Sequence, residues 1–179
     1  TSEPFEVPAE VKTHLNRVIN KGKRTERAWR KMLKKYEGDY PELAKELRER
    51  MQGKIPEDVN SIRMEFEKAD AGRGYGSTVL NAISAKMPSL IGGSADLAPS
   101  NKSVMKNSEY YSAENRNGSN FHFGIREHAM AAICNGMAAH GGVVPYCATF
   151  FVFTDYMKNA MRLSALMNLR VIYILTHDS

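Results

Sequence analysis

From Ser77 onward the chain alternates between helix-period and strand-period stretches, and this alternation restricts its fold more than any other feature. Residues 77–87 fit a helix, with Val79, Leu80 and Ile83 on one side. Leu90 and Ile91 make a short strand that ends in Gly92-Gly93. Asn120-Phe121-His122-Phe123 makes another, closed by Gly124. Residues 126–140 read as a helix of mostly small side chains, 143–148 as a strand and 154–167 as a helix. Residues 170–176 are apolar and rich in β-branched side chains, the clearest strand of the set. Such alternation specifies an α/β fold, a mostly parallel sheet flanked by helices. A buried parallel strand needs helices on both faces, and none follows 170–176 before Ser179. The expectation is an internal piece of a larger protein, cut at both ends.

The part before this is polar, charged and helix-prone. Pro8, Ala9 and Glu10 read as a helix start, and the helical pattern runs from about Glu10 to Tyr36 with Gly22 as a weak point. Asp39, Pro41 and Glu42 look like the cap and acidic first turn of a second helix that ends at Gly53, a C′ glycine. Residues 54–72 hold a short helix at most. Little core can form here, so residues 1–71 are expected to be a helical connector lying on another domain.

The net charge is +5, which suits anionic small ligands and ordinary enzyme surfaces alike. The densest basic run, Lys21 to Lys35, has the charge of a nucleic-acid stripe but no interleaved stacking series beyond Trp29 and Tyr36. A solvated helix face is the plainer reading. Cys134 and Cys147 sit in apolar stretches and are expected to be buried free thiols. No apolar run is long enough to span a bilayer. No histidine pair has zinc-ligand spacing with cysteines, and no hydrolase elbow, metalloprotease helix or phosphate-loop pattern occurs.

Several stretches carry chemistry-bearing residues, and two of them, at Glu127 and at His177, fall on the carboxyl edge of the expected sheet, where open α/β folds bind ligands. In Phe123-Gly124-Ile125-Arg126-Glu127-His128 a strand ends, a glycine turns and a helix begins. Glu127 would lie among apolar residues, where a carboxyl can hold or share a proton. The plain alternative is a first-turn glutamate favoured by the helix dipole. Phe150, Phe153 and Tyr156 are spaced by three and can cluster around a flat heteroaromatic ring, or simply form core. Gly92-Gly93-Ser94-Ala95-Asp96-Leu97-Ala98-Pro99-Ser100-Asn101 follows a strand. Its glycines allow close backbone approach, and Ser100 and Asn101 offer polar contacts. Gly72-Arg73-Gly74-Tyr75-Gly76 reads as a flexible helix start holding one cation. His177 and Asp178 lie just past the last strand, again on the ligand edge.

Taken in order, Gly-Gly-Ser-Ala-Asp-Leu-Ala-Pro-Ser-Asn, Phe-Gly-Ile-Arg-Glu-His-Ala-Met, Pro-Tyr-Cys-Ala-Thr-Phe-Phe-Val-Phe-Thr-Asp-Tyr and Thr-His-Asp-Ser resemble the transketolase family. The likeness covers roughly residues 72–179, and the third stretch is especially similar to plant and cyanobacterial members. It implies a thiamine-diphosphate-binding fold, with 72–179 as a C-terminally incomplete pyrimidine-binding domain and 1–71 as the interdomain linker. By resemblance, Glu127 bonds the pyrimidine ring nitrogen and Phe150, Phe153 and Tyr156 surround that ring. Asp96 lies near the thiazolium side, and Arg73, Ser100 and His177 hold the sugar phosphate.

The implied reaction moves a two-carbon ketol unit from a ketose phosphate such as xylulose 5-phosphate to an aldose phosphate such as ribose 5-phosphate. It passes through the ylide of thiamine diphosphate, in the pentose phosphate pathway or the Calvin cycle. Mg2+ or Ca2+ is implied, with its ligands in an upstream domain, so no metal ligand is assigned here. The family implies a homodimer in the cytoplasm or, for a plant protein, the chloroplast stroma, with no nucleic-acid or membrane partner. Two positions depart from the pattern: Gly72 stands where relatives carry threonine and Gly76 where they carry serine. A dihydroxyacetone synthase-like relative and a non-catalytic assembly domain of the same fold are the alternatives.

Overall fold

The computed structural model describes residues 3–177. They divide into two compact units, Thr1–Arg48 and Glu49–Ser179. The first is dominated by one 31-residue helix, α1 (Ala9–Asp39), longer at both ends than the periodicity implied and unbroken at Gly22. No residue of α1 is buried. Its basic run is a solvated face braced along the helix, with Glu26 bonded to Arg30 at 2.7 Å and Lys35 paired with Asp39. Pairs of this kind contribute a few tenths of a kcal/mol. α2 (Pro41–Met51) follows. Gly53, at φ +69°, ends it as expected of a C′ glycine: Lys54 N donates to the Glu49 carbonyl at 3.0 Å.

In the second unit a short α3 (Glu57–Asn60) precedes α4 (Gly72–Lys86). The glycine-rich stretch is therefore not a loose lead-in but the first turns of α4. Tyr75 fixes it from inside: its hydroxyl donates to the Lys68 carbonyl at 2.7 Å and accepts the Asp70 N–H at 2.8 Å. Then come β1 (Leu90–Ser94), α5 (Ala98–Asn101), β2 (Asn120–His122), α6 (Glu127–His140) and β3 (Val144–Phe150). A single 3-10 turn (Phe151–Phe153), α7 (Thr154–Leu166) and β4 (Ile172–Thr176) complete it. No helix among the described residues is long and apolar enough to cross a membrane.

The sheet has four strands, all parallel, in the order β2-β1-β3-β4. α4 covers one face, where Leu80, Met87, Leu90, Met105, Val144 and Tyr146 pack together. On the other face, α6 and α7 bring Met130, Cys134, Met157 and Ala160 onto Cys147. Tyr146 and Cys147 are sequence neighbours pointing to opposite cores, as the period of a strand requires. Met130, Cys134 and Met157 are fully buried, and burying such a side chain contributes roughly 1.5–3 kcal/mol. Both cysteines are free and buried, as their surroundings implied.

The clearest strand in the sequence is not the central one. β4 pairs only with β3 and keeps partial exposure along its length, whereas β3 is buried from Val144 to Thr149. Pro145, with no N–H for a ladder, weakens the strand pattern of β3 although tertiary packing buries it.

Candidate active site

Helices of a parallel α/β unit run antiparallel to its strands, so strand ends and helix starts share one edge. All the singled-out residues fall on that edge. Ala95, Asp96 and Leu97 follow β1, and Glu127 begins α6 just after β2. Phe150 ends β3, Arg73 begins α4 and His177 follows β4. The chain leaves β1 toward β2 on one side and β3 on the other, which makes this edge a topological switch point. Asp178, expected beside His177, falls outside the described residues.

The loop after β1 is held from below. Ser94 Oγ donates to the Ala148 carbonyl at 3.0 Å and accepts from Asn101 Nδ2 at 2.9 Å and from Leu97 N at 3.2 Å. Ser103 Oγ completes the chain, donating to Asn101 Oδ1 at 2.7 Å. The amide of Asn101 is thus committed to positioning the loop. Gly92 and Gly93 lie inside β1, and the backbone they approach is the sheet's own. An added Cβ would overlap the Tyr146 carbonyl at Gly92 and the Phe121 carbonyl at Gly93. Asp96 is turned out of this framework with φ +62°.

Glu127 opens α6 behind a turn in which Gly124 takes φ +67° and Arg126 Nη1 donates to the Phe123 carbonyl at 3.1 Å. It is 8% exposed and lines a cleft of about 430 Å³ with Ala95, Asp96, Leu97, Ile125, Phe153 and Tyr156. Among the described residues no side chain hydrogen-bonds its carboxyl, so both oxygens can serve a ligand. The three aromatic residues form a row rather than a closed cage. Phe150 and Phe153 stack with centroids 5.8 Å apart, and Phe153 meets Tyr156 at 5.9 Å. Phe153 and Tyr156 border the cleft; Phe150 stands behind Phe153 and packs on the His177 ring at 4.5 Å. Leu97 and Ile125 belong to the cleft and escaped the sequence reading. The available signal was Ile125, an apolar residue in the turn before Glu127, left 78% exposed.

A second cluster adjoins the row. Arg73 Nη1 donates to the Ser100 carbonyl at 3.1 Å and lies 3.2 Å from His177 Nε2. Arginine only donates, so Nε2 is the acceptor and the His177 proton sits on Nδ1. Arg73, Ser100 and His177 are therefore together, although Ser100 joins through its backbone rather than its hydroxyl. The cleft beside them measures about 600 Å³ and includes Lys102 and Thr176, which the sequence did not single out.

A carboxyl with unused acceptors on a largely buried residue, sharing a cleft with Phe153 and Tyr156, fits the amino-substituted heteroaromatic half of thiamine diphosphate. No set of three His, Cys, Asp or Glu side chains among the described residues could hold a metal ion.

Comparison with known proteins shows the family of the chain. Residues 71–179 match the family model of the transketolase pyrimidine binding domain, and residues 1–56 that of the transketolase thiamine diphosphate binding domain. A chloroplastic transketolase of Craterostigma plantagineum is 46% identical over 99% of this chain and 35% of its own length. A Staphylococcus aureus transketolase is 47% identical over 98% of this chain and 27% of its own. Transketolase from Leishmania mexicana superposes with a TM-score of 0.91 at 34% identity, over 99% of this chain and 27% of that one. A Pichia stipitis transketolase complexed with sedoheptulose 7-phosphate superposes at 0.89 with 36% identity, covering 99% and 28%. The chain thus spans between a quarter and about a third of the length of the relatives it matches.

Proposed function

The chain belongs to the transketolase family through its pyrimidine-binding domain, and from that premise we propose that it supplies the ring-binding half of a thiamine-diphosphate site and the adjoining phosphate clamp of a ketol transferase. The observation that carries this is Glu127: a largely buried residue whose carboxyl has no side-chain partner among the described residues and lines a cleft bordered by Phe153 and Tyr156. On this reading residues 1–71 are the interdomain connector and 72–179 the pyrimidine-binding domain.

When bound, thiamine diphosphate supplies a nucleophilic carbon and an electron sink for the two-carbon unit. The chain's own residues do the rest. Glu127 would hold the pyrimidine ring and share a proton with one of its nitrogens. Phe153 and Tyr156 lie against the ring, with Leu97 and Ile125 keeping water off its edges. Asp96 faces the thiazolium side. Arg73 and His177 would take the phosphate of the sugar and so orient it for the reaction. The phosphate and ring sites are mechanically continuous, because Phe150 touches both His177 and Phe153.

The diphosphate and the divalent ion, Mg2+ or Ca2+, would be held by an upstream domain, that of the partner subunit in a homodimer; no set of side chains among the described residues could hold the ion. Relatives have been solved with xylulose 5-phosphate and sedoheptulose 7-phosphate, and those sugars are the substrate class proposed here. The test is ketol transfer by the holoenzyme from xylulose 5-phosphate to ribose 5-phosphate, followed by sedoheptulose 7-phosphate formation. Transfer that needs added thiamine diphosphate is the expected result. Transfer to formaldehyde alone would favour the dihydroxyacetone synthase reading, and no transfer with cofactor bound would favour the assembly-domain reading.

A further inference from the structure

A buried hydrogen-bonded tie joins α6, α7 and β4. Asn135 Nδ2, on α6, donates to the Ala160 carbonyl of α7 at 2.9 Å. Its amide oxygen faces Ser164 of α7, whose hydroxyl donates to it. The same hydroxyl lies 3.3 Å from the Ala160 carbonyl, the longer and weaker alternative. With its one proton given to Asn135, Ser164 Oγ is the acceptor in its 2.6 Å contact with the Tyr173 hydroxyl of β4. Asn135 and Ser164 are both buried, so removing one member leaves another unsatisfied away from water.

The apolar seam around this tie does little to fix its own register. Between α6 and α7 it consists of Met130, Cys134, Met157 and Ala160, with Met137 and Met161 at its margin. Methionine is unbranched and fills gaps in several rotamers, and alanine presents no knob, so such a seam lets two helices slide at small cost. Register is the best-attested use of buried polar partners. The depth of the tie relates it to the site. Asn135 is eight residues beyond Glu127 on α6, and Ser164 is eight beyond Tyr156 on α7, about 12 Å at the rise of an α-helix. Tyr173 is four residues before His177, about 13 Å along an extended strand. Helices and strand run in opposite senses, so all three distances are measured from the same carboxyl edge. One cross-tie therefore lies at one depth beneath three site residues, each carried by a different element.

We infer that Asn135, Ser164 and Tyr173 are positioning residues for the ring cleft, with Ser164 the hub that holds the Glu127 wall of α6 at the height of the Tyr156 wall of α7. This rests on the ketol-transferase reading above. The experiment uses the holoenzyme at saturating thiamine diphosphate, well below its melting temperature. Ser164→Ala deletes the hub and should slow turnover and exchange of the cofactor's C2 proton together, about tenfold, part of the hundredfold that a 1 Å misplacement can cost. Tyr173→Phe removes one oxygen and keeps the ring; it should slow exchange about threefold, and it carries the test where Ser164→Ala fails to fold. Met161→Ala is the control, since it thins the same seam without touching the tie, and its exchange per folded molecule should stay at the wild-type rate. Wild-type exchange in Ser164→Ala and Tyr173→Phe, with only a lowered melting temperature, would make the network plain packing and overturn the proposal. Equal slowing by Met161→Ala would overturn it too. Glu127→Gln measured alongside separates the failures: if it alone slows exchange, the ketol-transferase reading stands without the tie, and if none of the variants does, both fall.

Discussion

Arg73 and His177, 104 positions apart, meet at 3.2 Å across the carboxyl edge of the sheet, guanidinium to imidazole Nε2. The contact ties the start of α4 to the end of β4, and the same imidazole packs on Phe150 at 4.5 Å. His177 therefore has two separable duties. His177→Phe removes the acceptor and keeps a ring against Phe150. It should raise KM for a phosphorylated donor about tenfold, with the cofactor's dissociation constant changed much less. His177→Ala removes the ring as well and should weaken thiamine diphosphate binding several-fold, because Phe150 then loses its support behind Phe153. Calorimetric titration of cofactor into the two variants checks this. Equal cofactor affinities would show that the aromatic row does not link the two clefts.

Gly92→Ala should be among the most damaging small substitutions in the chain. Its Cβ would enter the Tyr146 carbonyl in the pairing of β1 with β3, the centre of the sheet. The carbonyl and the fully buried ring of Tyr146 are what it would meet, and neither has room to give way. Overpacking costs typically 1–3 kcal/mol, and more where only main chain can move. The upper part of that range is expected, seen as a lower denaturation midpoint with an unchanged slope. Gly76→Ala is the matched control, since its Cβ enters open space.

Stability should fall in alkali for a reason visible in the core. A hydrogen bond with Cys134 and then burial hold the Cys147 thiol far above its ordinary range. Burial does the same to the Tyr146 hydroxyl and, more weakly opposed by Ser164, to Tyr173. These groups stay protonated in the folded protein, while the unfolded chain releases their protons from roughly pH 8.5 to 10. Their contribution is therefore complete below that range and declines steadily as pH rises above it toward the raised folded-state pKa, by at most about 1.4 kcal/mol per pH unit for each group. Urea unfolding at pH 7, 9 and 10.5 should show the decline, and Cys147→Ala should flatten the part that begins near pH 8.5. A curve that is level to pH 10.5 would contradict it.

Most of the architecture was legible because local pattern and fold agree here: helix and strand periods alternate, and Gly53 and Gly124 sit where the backbone needs them. The misreadings have physical causes. Gly72 to Gly76 carry the composition of a loop, yet Tyr75 locks them into α4 through bonds to residues 68 and 70 that no local pattern reveals. The Gly92-Gly93 pair looks like a ligand loop because close approach to a neighbouring strand and to a ligand demand the same residue. At the site, Arg73 and His177 could be paired only through the family resemblance. The tie of Asn135, Ser164 and Tyr173 had no sequence signal, since it joins three elements that meet only in the folded chain.

Glu127 is where the functional reading is most exposed to test. The residue lies in the first turn of α6 and is 8% exposed, and its carboxyl has no side-chain hydrogen bond among the described residues. A residue kept only for the helix dipole would gain from solvent and has no need of a cleft bounded by Phe153 and Tyr156. Glu127→Gln preserves shape and hydrogen-bonding capacity but cannot share a proton with a ring nitrogen. The variant holoenzyme should fold, dimerise and bind thiamine diphosphate, yet turn over at least about a hundredfold more slowly, the lower end of what a positioned acid or base contributes. Exchange of the cofactor's C2 proton, read by NMR after quenching, should slow in proportion. Fast exchange with slow turnover would move Glu127 to a later step of the cycle. Wild-type values of both would reduce it to a helix-start glutamate and remove the main support for the proposed chemistry.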